Sequence, residues 1–347
     1  LVFTEEFSVS ASPLIRFIDR HQDRWDGPVL WLYPSDLEAT VHGVQPDRGD
    51  RVWVEDCRFL PPLALAGIDA EIGLQLEGLQ DAAHIVVQFP RSKAWFDAII
   101  QCARRAAPTA DIWVIGHNRS GVKSAADIMQ SALPEVEEDD HARHCVMVHG
   151  TPAGPDAGAD WPPSPSTWTD PALGKLSIIS LPGVFSHGRL DEGTRLLLAE
   201  LPPLKGDVLD MACGAGVLAA HAASAGARVM ACDASLLAVE STRATLKENG
   251  LSGRVFLSDG FAAVEGTFNT ILCNPPFHRG SEVDTEAASA MLHDAALYLK
   301  PGGELWVVAN AFLPYQSILD AAFSNVRTVA NDGKFRVYCA HSPKARS

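Results

Sequence analysis

Along the second half of the chain, short apolar runs alternate with stretches of helical period. Val208-Leu209-Asp210 reads as a buried strand, and the Ala-rich stretch from Gly216 to Ala225 as the helix that follows it. Arg228 to Asp233 is a second strand, and Leu236 to Asn249 a helix ended by Gly250. Arg254 to Ser258 and Thr270 to Cys273 are strands three and four. Thr285 to Leu299 reads as a helix stopped by Pro301-Gly302-Gly303, and Glu304 to Ala309 as a fifth strand. Such alternation requires right-handed crossovers and a mostly parallel sheet.

The first half carries a fainter version of the pattern. Ile85-Val86-Val87-Gln88-Phe89-Pro90-Arg91 parallels Ile271 to Phe277, and Asp111 to Ile115 parallels Glu304 to Val308, with a helix from about Ala94 between. This half has neither a glycine-rich loop nor an Asn-Pro-Pro. It reads as a degenerate copy of the second half, expected to bind no cofactor. The acidic run Glu135 to Asp140 reads as a solvated loop, and the Pro-, Gly- and Ser-rich stretch His149 to Lys175 as a linker. The expected domains are residues 1–165 and 171–347.

Composition narrows the class. The chain has 347 residues, 47% hydrophobic and 20% charged, and no run of 18 apolar residues, so no membrane span is expected. The first ten residues lack a basic region followed by an apolar core, so no secretory signal is read there and a cytoplasmic location is expected. The seven cysteines, an odd number without CxxC spacing, fit a reducing compartment and argue against a zinc or other metal site. The net charge of -15 argues at first against nucleic acid. It is uneven, however: residues 1–170 hold 13 Lys and Arg against 26 Asp and Glu, residues 171–347 hold 15 against 17. Screening limits distant charge to roughly 8 Å at physiological salt, so local cationic clusters can still meet a phosphate backbone.

The chemistry sits at the ends of the predicted strands. In Asp210-Met211-Ala212-Cys213-Gly214-Ala215-Gly216, Gly214 and Gly216 allow a tight turn and close approach to a ligand, and the next helix offers unpaired N–H groups. Asp233, ending the second strand, can accept both hydroxyls of a ribose. This spacing also fits a dinucleotide site, because Gly214-x-Gly216-x-x-Ala219 with a later acid matches that fingerprint. Asp210, a carboxylate at the end of the first strand, favours adenosylmethionine over a nicotinamide or flavin. Ser258-Asp259-Gly260 ends the third strand, where Asp259 can meet an adenine amine and Phe261 its ring.

Asn274-Pro275-Pro276-Phe277 follows the fourth strand. Two prolines stiffen the backbone and remove two donors, leaving the Asn274 side-chain oxygen and the Pro275 carbonyl as acceptors. Two acceptors can hold the hydrogens of a planar amine and stabilise the positive charge that grows on its nitrogen during methyl transfer. Phe277 offers a face for a base, worth roughly 1–3 kcal/mol. His278 is a candidate proton acceptor or a pocket wall. The motif suits a nucleobase amine or a glutamine side chain, and by itself does not choose.

With these motifs the chain closely resembles the bacterial small-subunit ribosomal RNA guanine-N2 methyltransferase C family. The resemblance is carried by Gly116 to Ala125, Leu181-Pro182-Gly183-Val184-Phe185-Ser186, Leu190-Asp191-x-Gly193, Leu209-Asp210 through Leu218, Asn274 to His278 and Val308 to Tyr315. It implies a class I, Rossmann-like, seven-stranded α/β methyltransferase domain using S-adenosyl-L-methionine, behind a related cofactor-free domain. It implies a guanine of 16S ribosomal RNA, or the small ribosomal subunit, as substrate, and Phe185 and Asp191 in a segment that closes over the cofactor. Ala212 stands where the family usually has Gly. Arg279, Lys334, Arg336, Arg119 and Lys123 are candidate phosphate contacts. A monomer is expected. The competing readings are a glutamine methyltransferase acting on a translation factor, a non-catalytic RNA-binding protein and a nicotinamide oxidoreductase.

Overall fold

The computed structural model describes residues 12–74, 81–152, 154, 163–275 and 289–344. The chain divides into two compact units, Leu1–Ser164 and Pro165–Ser347. No helix among the described residues is long and apolar enough to cross a membrane.

In the first unit, parallel strands β1 (Val29–Leu32), β2 (Arg51–Val54), β3 (Ala70–Ile72), β4 (His84–Gln88) and β5 (Asp111–His117) are joined by β6 (Glu135–Ala142) and β7 (Cys145–Thr151). The order across the sheet is β3-β2-β1-β4-β5-β7-β6, with β7 antiparallel to both neighbours. Helix α1 (Pro13–His21) starts on a Ser12 cap with Pro13 in its first turn and buries Phe17 and Ile18. Helix α2 (Leu37–Gly43) follows β1, α3 (Leu60–Leu65) precedes β3, α4 (Lys93–Ala106) joins β4 to β5, and α5 (Ala125–Met129) follows β5. Trp31 is fully buried, edge-on to Trp25 at 5.8 Å between ring centroids. Gly43 is required beside it, since a Cβ there would lie 2.3 Å from the indole.

The second unit begins with a two-stranded antiparallel ribbon, β8 (Ser166–Thr169) and β9 (Ser177–Ser180), then α6 (Glu192–Glu200). Its sheet contains β10 (Asp207–Met211), β11 (Arg228–Asp233), β12 (Gly253–Leu257), β13 (Phe268–Cys273), β14 (Leu299–Asn310), β15 (Phe323–Asn331) and β16 (Phe335–Pro343). The order is β12-β11-β10-β13-β14-β16-β15. In chain order both sheets run third, second, first, fourth, fifth, seventh, sixth, with the last two strands antiparallel. Two unrelated α/β segments would not be expected to share all seven positions, and the duplication read from the sequence is borne out. Helices α7 (Val217–Ser224), α8 (Leu236–Glu248) and α9 (Tyr315–Ala322) complete the unit. Its core joins Leu209, Phe268, Ile271, Leu305 and Val307 to Tyr315, Phe323 and Tyr338.

Three expectations are corrected. Glu135 to Asp140 is not a loop but most of edge strand β6, held by its backbone to β7, with Asp139 and Asp140 paired to Arg24 and Arg20. Acidic side chains on an edge strand discourage pairing with a second sheet. The stretch His149 to Lys175 is only partly linker, because it holds the end of β7 and all of β8. Pro301-Gly302-Gly303 does not stop a helix: helical backbone gives way to a 3-10 turn at Ala295–Tyr298, and β14 starts at Leu299. The three residues bulge out of that strand, since Phe268 pairs with Leu299 but Thr270 already with Glu304.

Candidate active site

The carboxyl ends of β10, β11 and β13 are in register. Met211 pairs with Cys232 on one side and with Cys273 on the other, so the residues that follow, the glycine loop, Asp233 and Asn274, share one edge of the sheet. Ligands of open parallel sheets bind at this edge.

The loop from Met211 to Gly216 is tied to its surroundings by backbone and hydroxyl groups. Gly214 N–H donates to Asp233 Oδ2 at 3.0 Å, and Ser235 N–H to Asp233 Oδ1 at 3.0 Å. From α8, Thr242 Oγ1 donates to Gly214 O at 3.0 Å and Thr245 Oγ1 to Ala215 O at 2.8 Å. The two glycines do different work. Around Gly214 (φ +54°) a Cβ would meet nothing within 4 Å, so its face is open to a ligand. At Gly216 (φ +77°) a Cβ would lie 2.9 Å from Thr242 Cγ2, so this glycine lets α8 pack against the loop. Ala212 has φ +57°, a left-handed conformation that favours glycine and costs an L-residue roughly 1–2 kcal/mol.

Asp210 is buried. Its Oδ2 accepts from Ala219 N–H at 2.8 Å, at the start of α7, while Oδ1 has no hydrogen-bond partner. Burial, with the charge of Asp233 adding to it, pushes its carboxyl up to about 8 against the single hydrogen bond that opposes the shift. An unpartnered carboxylate oxygen on the strand that leads into this loop suits a cationic ligand group, which fits the ammonium or sulfonium of adenosylmethionine.

Asn274 is half-buried and Pro275 buried. Asn274 Nδ2 donates to Thr194 Oγ1 at 2.9 Å and to Asp191 Oδ2 at 3.1 Å. The same Asp191 oxygen accepts from Thr194 N–H at 2.8 Å as the N-cap of α6. Of the other expected residues, Asp259 is exposed on the turn after β12, where Ser258 Oγ bonds Gly260 O and Ala263 N–H. Phe185 is 65% exposed, on the segment after β9. That segment is tethered by Ser180 Oγ, which contacts His187 Nδ1 at 3.0 Å and Gly188 N–H at 3.3 Å. Phe277, His278 and Arg279 lie outside the described residues. Phe261 is not available to an adenine, because it stacks on Tyr298 at 4.3 Å within the core. Lys334 is paired with Glu192, whereas Arg119 and Lys123 are exposed. Thr194, Thr242 and Thr245 are site residues that sequence reasoning missed; a Thr three positions after a capping Asp is a signal for the first. Among the described residues no group of three or more His, Cys, Asp or Glu is arranged to hold a metal ion.

This fold and this edge define a methyltransferase of the adenosylmethionine-dependent class. The family model described as Methyltransferase small domain matches residues 175–339, and Methyltransferase small domain N-terminal matches residues 50–160. The ribosomal RNA small subunit methyltransferase C of Salmonella choleraesuis is 41% identical over 94% of this chain and 96% of its own length. Its namesake in Klebsiella pneumoniae is 47% identical over 66% of each chain. The T. thermophilus 16S rRNA N2 methyltransferase, solved in complex with AdoMet and guanosine, shares the fold with a TM-score of 0.83 at 23% identity, over 96% of this chain and 93% of that one. The chain belongs to the ribosomal RNA small subunit methyltransferase C family.

Proposed function

We propose that the second unit transfers a methyl group from S-adenosylmethionine to the exocyclic N2 amine of a guanine in 16S ribosomal RNA. The observation that carries this reading is the amide of Asn274. Its nitrogen is bound by Asp191 and Thr194, so its oxygen is the atom left to accept from an amine at the strand edge. Full-length relatives named for this RNA subunit support the substrate.

The cofactor supplies a methyl group on a positively charged sulfur that leaves as a neutral thioether. Asp210 Oδ1 and the open face of Gly214 would hold its methionine end, Asp233 its ribose, and Asp259 its adenine, with Phe185 in the segment over it. The Asn274 oxygen and the Pro275 carbonyl would accept the two amine hydrogens and aim the nitrogen lone pair. As nitrogen bonds to carbon it becomes positive, these two dipoles stabilise that charge, and the proton leaves afterwards. Phe277 would stack on the base, and His278, the next residue in the sequence, would accept the proton.

The first unit is read as cofactor-free. Just before α2, where a cofactor would approach, Ser35 and Asp36 N–H already donate to Gln88 Oε1 at 2.9 and 2.6 Å. The protein is expected to act as a monomer in the cytoplasm. Transfer of labelled methyl to unmodified small subunits, recovered as N2-methylguanosine and lost in Asn274→Ala, tests the function. Label absent from subunits and their RNA, with cofactor binding intact, would overturn the substrate.

A further inference from the structure

An asparagine amide presents an acceptor on one side and a donor on the other, and the reaction above can use only the acceptor. We propose that Asp191 and Thr194 are positioning residues that select the acceptor face of Asn274. The proposal rests on the reading that Asn274 accepts from the substrate amine, and it moves Asp191 from the cofactor wall to the substrate side.

A carboxylate has no hydrogen to give, so the Asn274 atom 3.1 Å from Asp191 Oδ2 has to be the nitrogen. Thr194 Oγ1 takes the second hydrogen at 2.9 Å, from a residue only 7% exposed. With both hydrogens engaged, Oδ1 is turned away from these partners. Rotating the amide by half a turn would set its oxygen against the Asp191 carboxylate and offer NH2 to a substrate that is itself a donor.

Asp191 is fixed in turn. Its Oδ2 also caps α6 through Thr194 N–H, and a helix N-terminus favours a carboxylate. Gly193 leaves no slack: a Cβ there would lie 3.1 Å from Asp191 Oδ2 and 3.1 Å from the Phe335 ring. The carboxylate also polarises the amide it holds. Negative charge drawn towards Oδ1 strengthens the acceptor that faces the growing charge on the amine.

The test uses the full chain with Thr194→Val, which keeps the shape and removes the acceptor, Thr194→Ser, which restores it, and Asp191→Ala. Thr194→Val is expected to lower kcat on small subunits by about 10–100-fold, the usual scale for a residue that orients a functional group. Adenosylmethionine Kd should stay within about twofold, and Thr194→Ser should recover most of the rate. With asparagine side chains labelled by 15N, the Asn274 NH2 pair, identified by its loss in Asn274→Ala, should shift in Thr194→Val and Asp191→Ala and return in Thr194→Ser. A wild-type kcat in Thr194→Val, an NH2 pair unmoved by either substitution, or a fall in kcat matched by an equal loss of cofactor affinity would overturn the proposal. Should the wild type itself place no methyl on subunits, the functional reading has failed, and the NH2 signals alone then decide whether Asp191 and Thr194 hold Asn274.

Discussion

Replacing Asp210 by Asn should uncouple cofactor affinity from pH. In the free protein the buried carboxyl is pushed up to about 8, from an ordinary value of 3.8, by loss of water and by Asp233. Near neutrality it is therefore largely protonated. A cationic ligand group at the unpartnered Oδ1 favours the ionised form, so binding must expel that proton. If the bound carboxyl returns to its ordinary range, affinity should rise about 25-fold between pH 6.0 and 7.5, and about 0.9 proton should be released at pH 7. Both pH values lie below the usual α-amino range of roughly 7.7–8.0, so the ligand ammonium contributes little to this slope. Calorimetry in two buffers of different ionisation enthalpy counts the proton directly. Folding is linked to the same group. A carboxyl raised on folding opposes ionisation, so its contribution to stability is whole below pH 4 and is lost as pH rises through about 8. Wild-type Tm without cofactor should therefore fall between pH 5 and 8 relative to Asp210→Asn and level off above that. A wild-type affinity that does not change from pH 6.0 to 7.5, or an equal slope in Asp210→Asn, would refute the placement of a cation at Asp210.

Asn274→Ala should lower the methyl-transfer rate by about 10²–10³-fold, as for removal of one preorganised dipole, and leave adenosylmethionine Kd within a few-fold by calorimetry. Ala212→Gly relieves a left-handed φ of +57° but adds freedom to the unfolded chain, so a denaturant melt should show a gain of up to about 1 kcal/mol. Gly216→Ala combines φ +77° with a Cβ 2.9 Å from Thr242 Cγ2, and the same melt should show a loss of about 2–3 kcal/mol together with weakened cofactor binding.

What could be read in the sequence was what local pattern encodes. Val208 to Asp210 is apolar up to its final acid, and the glycines after it mark a turn, so β10, its loop and α7 are legible from local pattern alone. β6 was not, because none of Glu135, Glu137, Glu138, Asp139 and Asp140 is apolar, and the strand exists through pairing with Cys145 to Val148, whose side chains are buried. Its turn was equally silent: Arg143 and His144 both have positive φ, with no Gly or Asn to announce it. Phe261 looked like a ligand platform because it follows a strand, but Tyr298, distant in sequence, claims its face. Thr194 was hidden for the same reason. Its spacing from Asp191 signals a cap, and nothing local says that Asn274, 80 residues on, will sit beneath it.

The two sheets share one frame, yet the turns that follow their first strands are built differently. Both units keep the strand order and the antiparallel final pair. The proposed cofactor edge differs from its counterpart by a few side chains. In the second unit the first strand carries Asp210 one residue before its end, with an oxygen left unpaired, and Gly214 in the loop that follows has an open face. In the first unit the matching turn reads Tyr33-Pro34-Ser35-Asp36, and Gln88, 1% exposed, reaches across from β4. Its oxygen takes the N–H groups of Ser35 and Asp36, and its nitrogen donates to Thr40 Oγ1 at 3.0 Å. Those N–H groups would have faced a ligand, and the protein has satisfied them itself. Opening that space with Gln88→Ala would take the acceptor from the N–H groups of exposed Ser35 and half-buried Asp36 and empty a buried site, without supplying the acid or the glycines. Gln88→Ala is therefore expected to lower stability without creating cofactor binding, which a denaturant melt and calorimetry with adenosylmethionine would check.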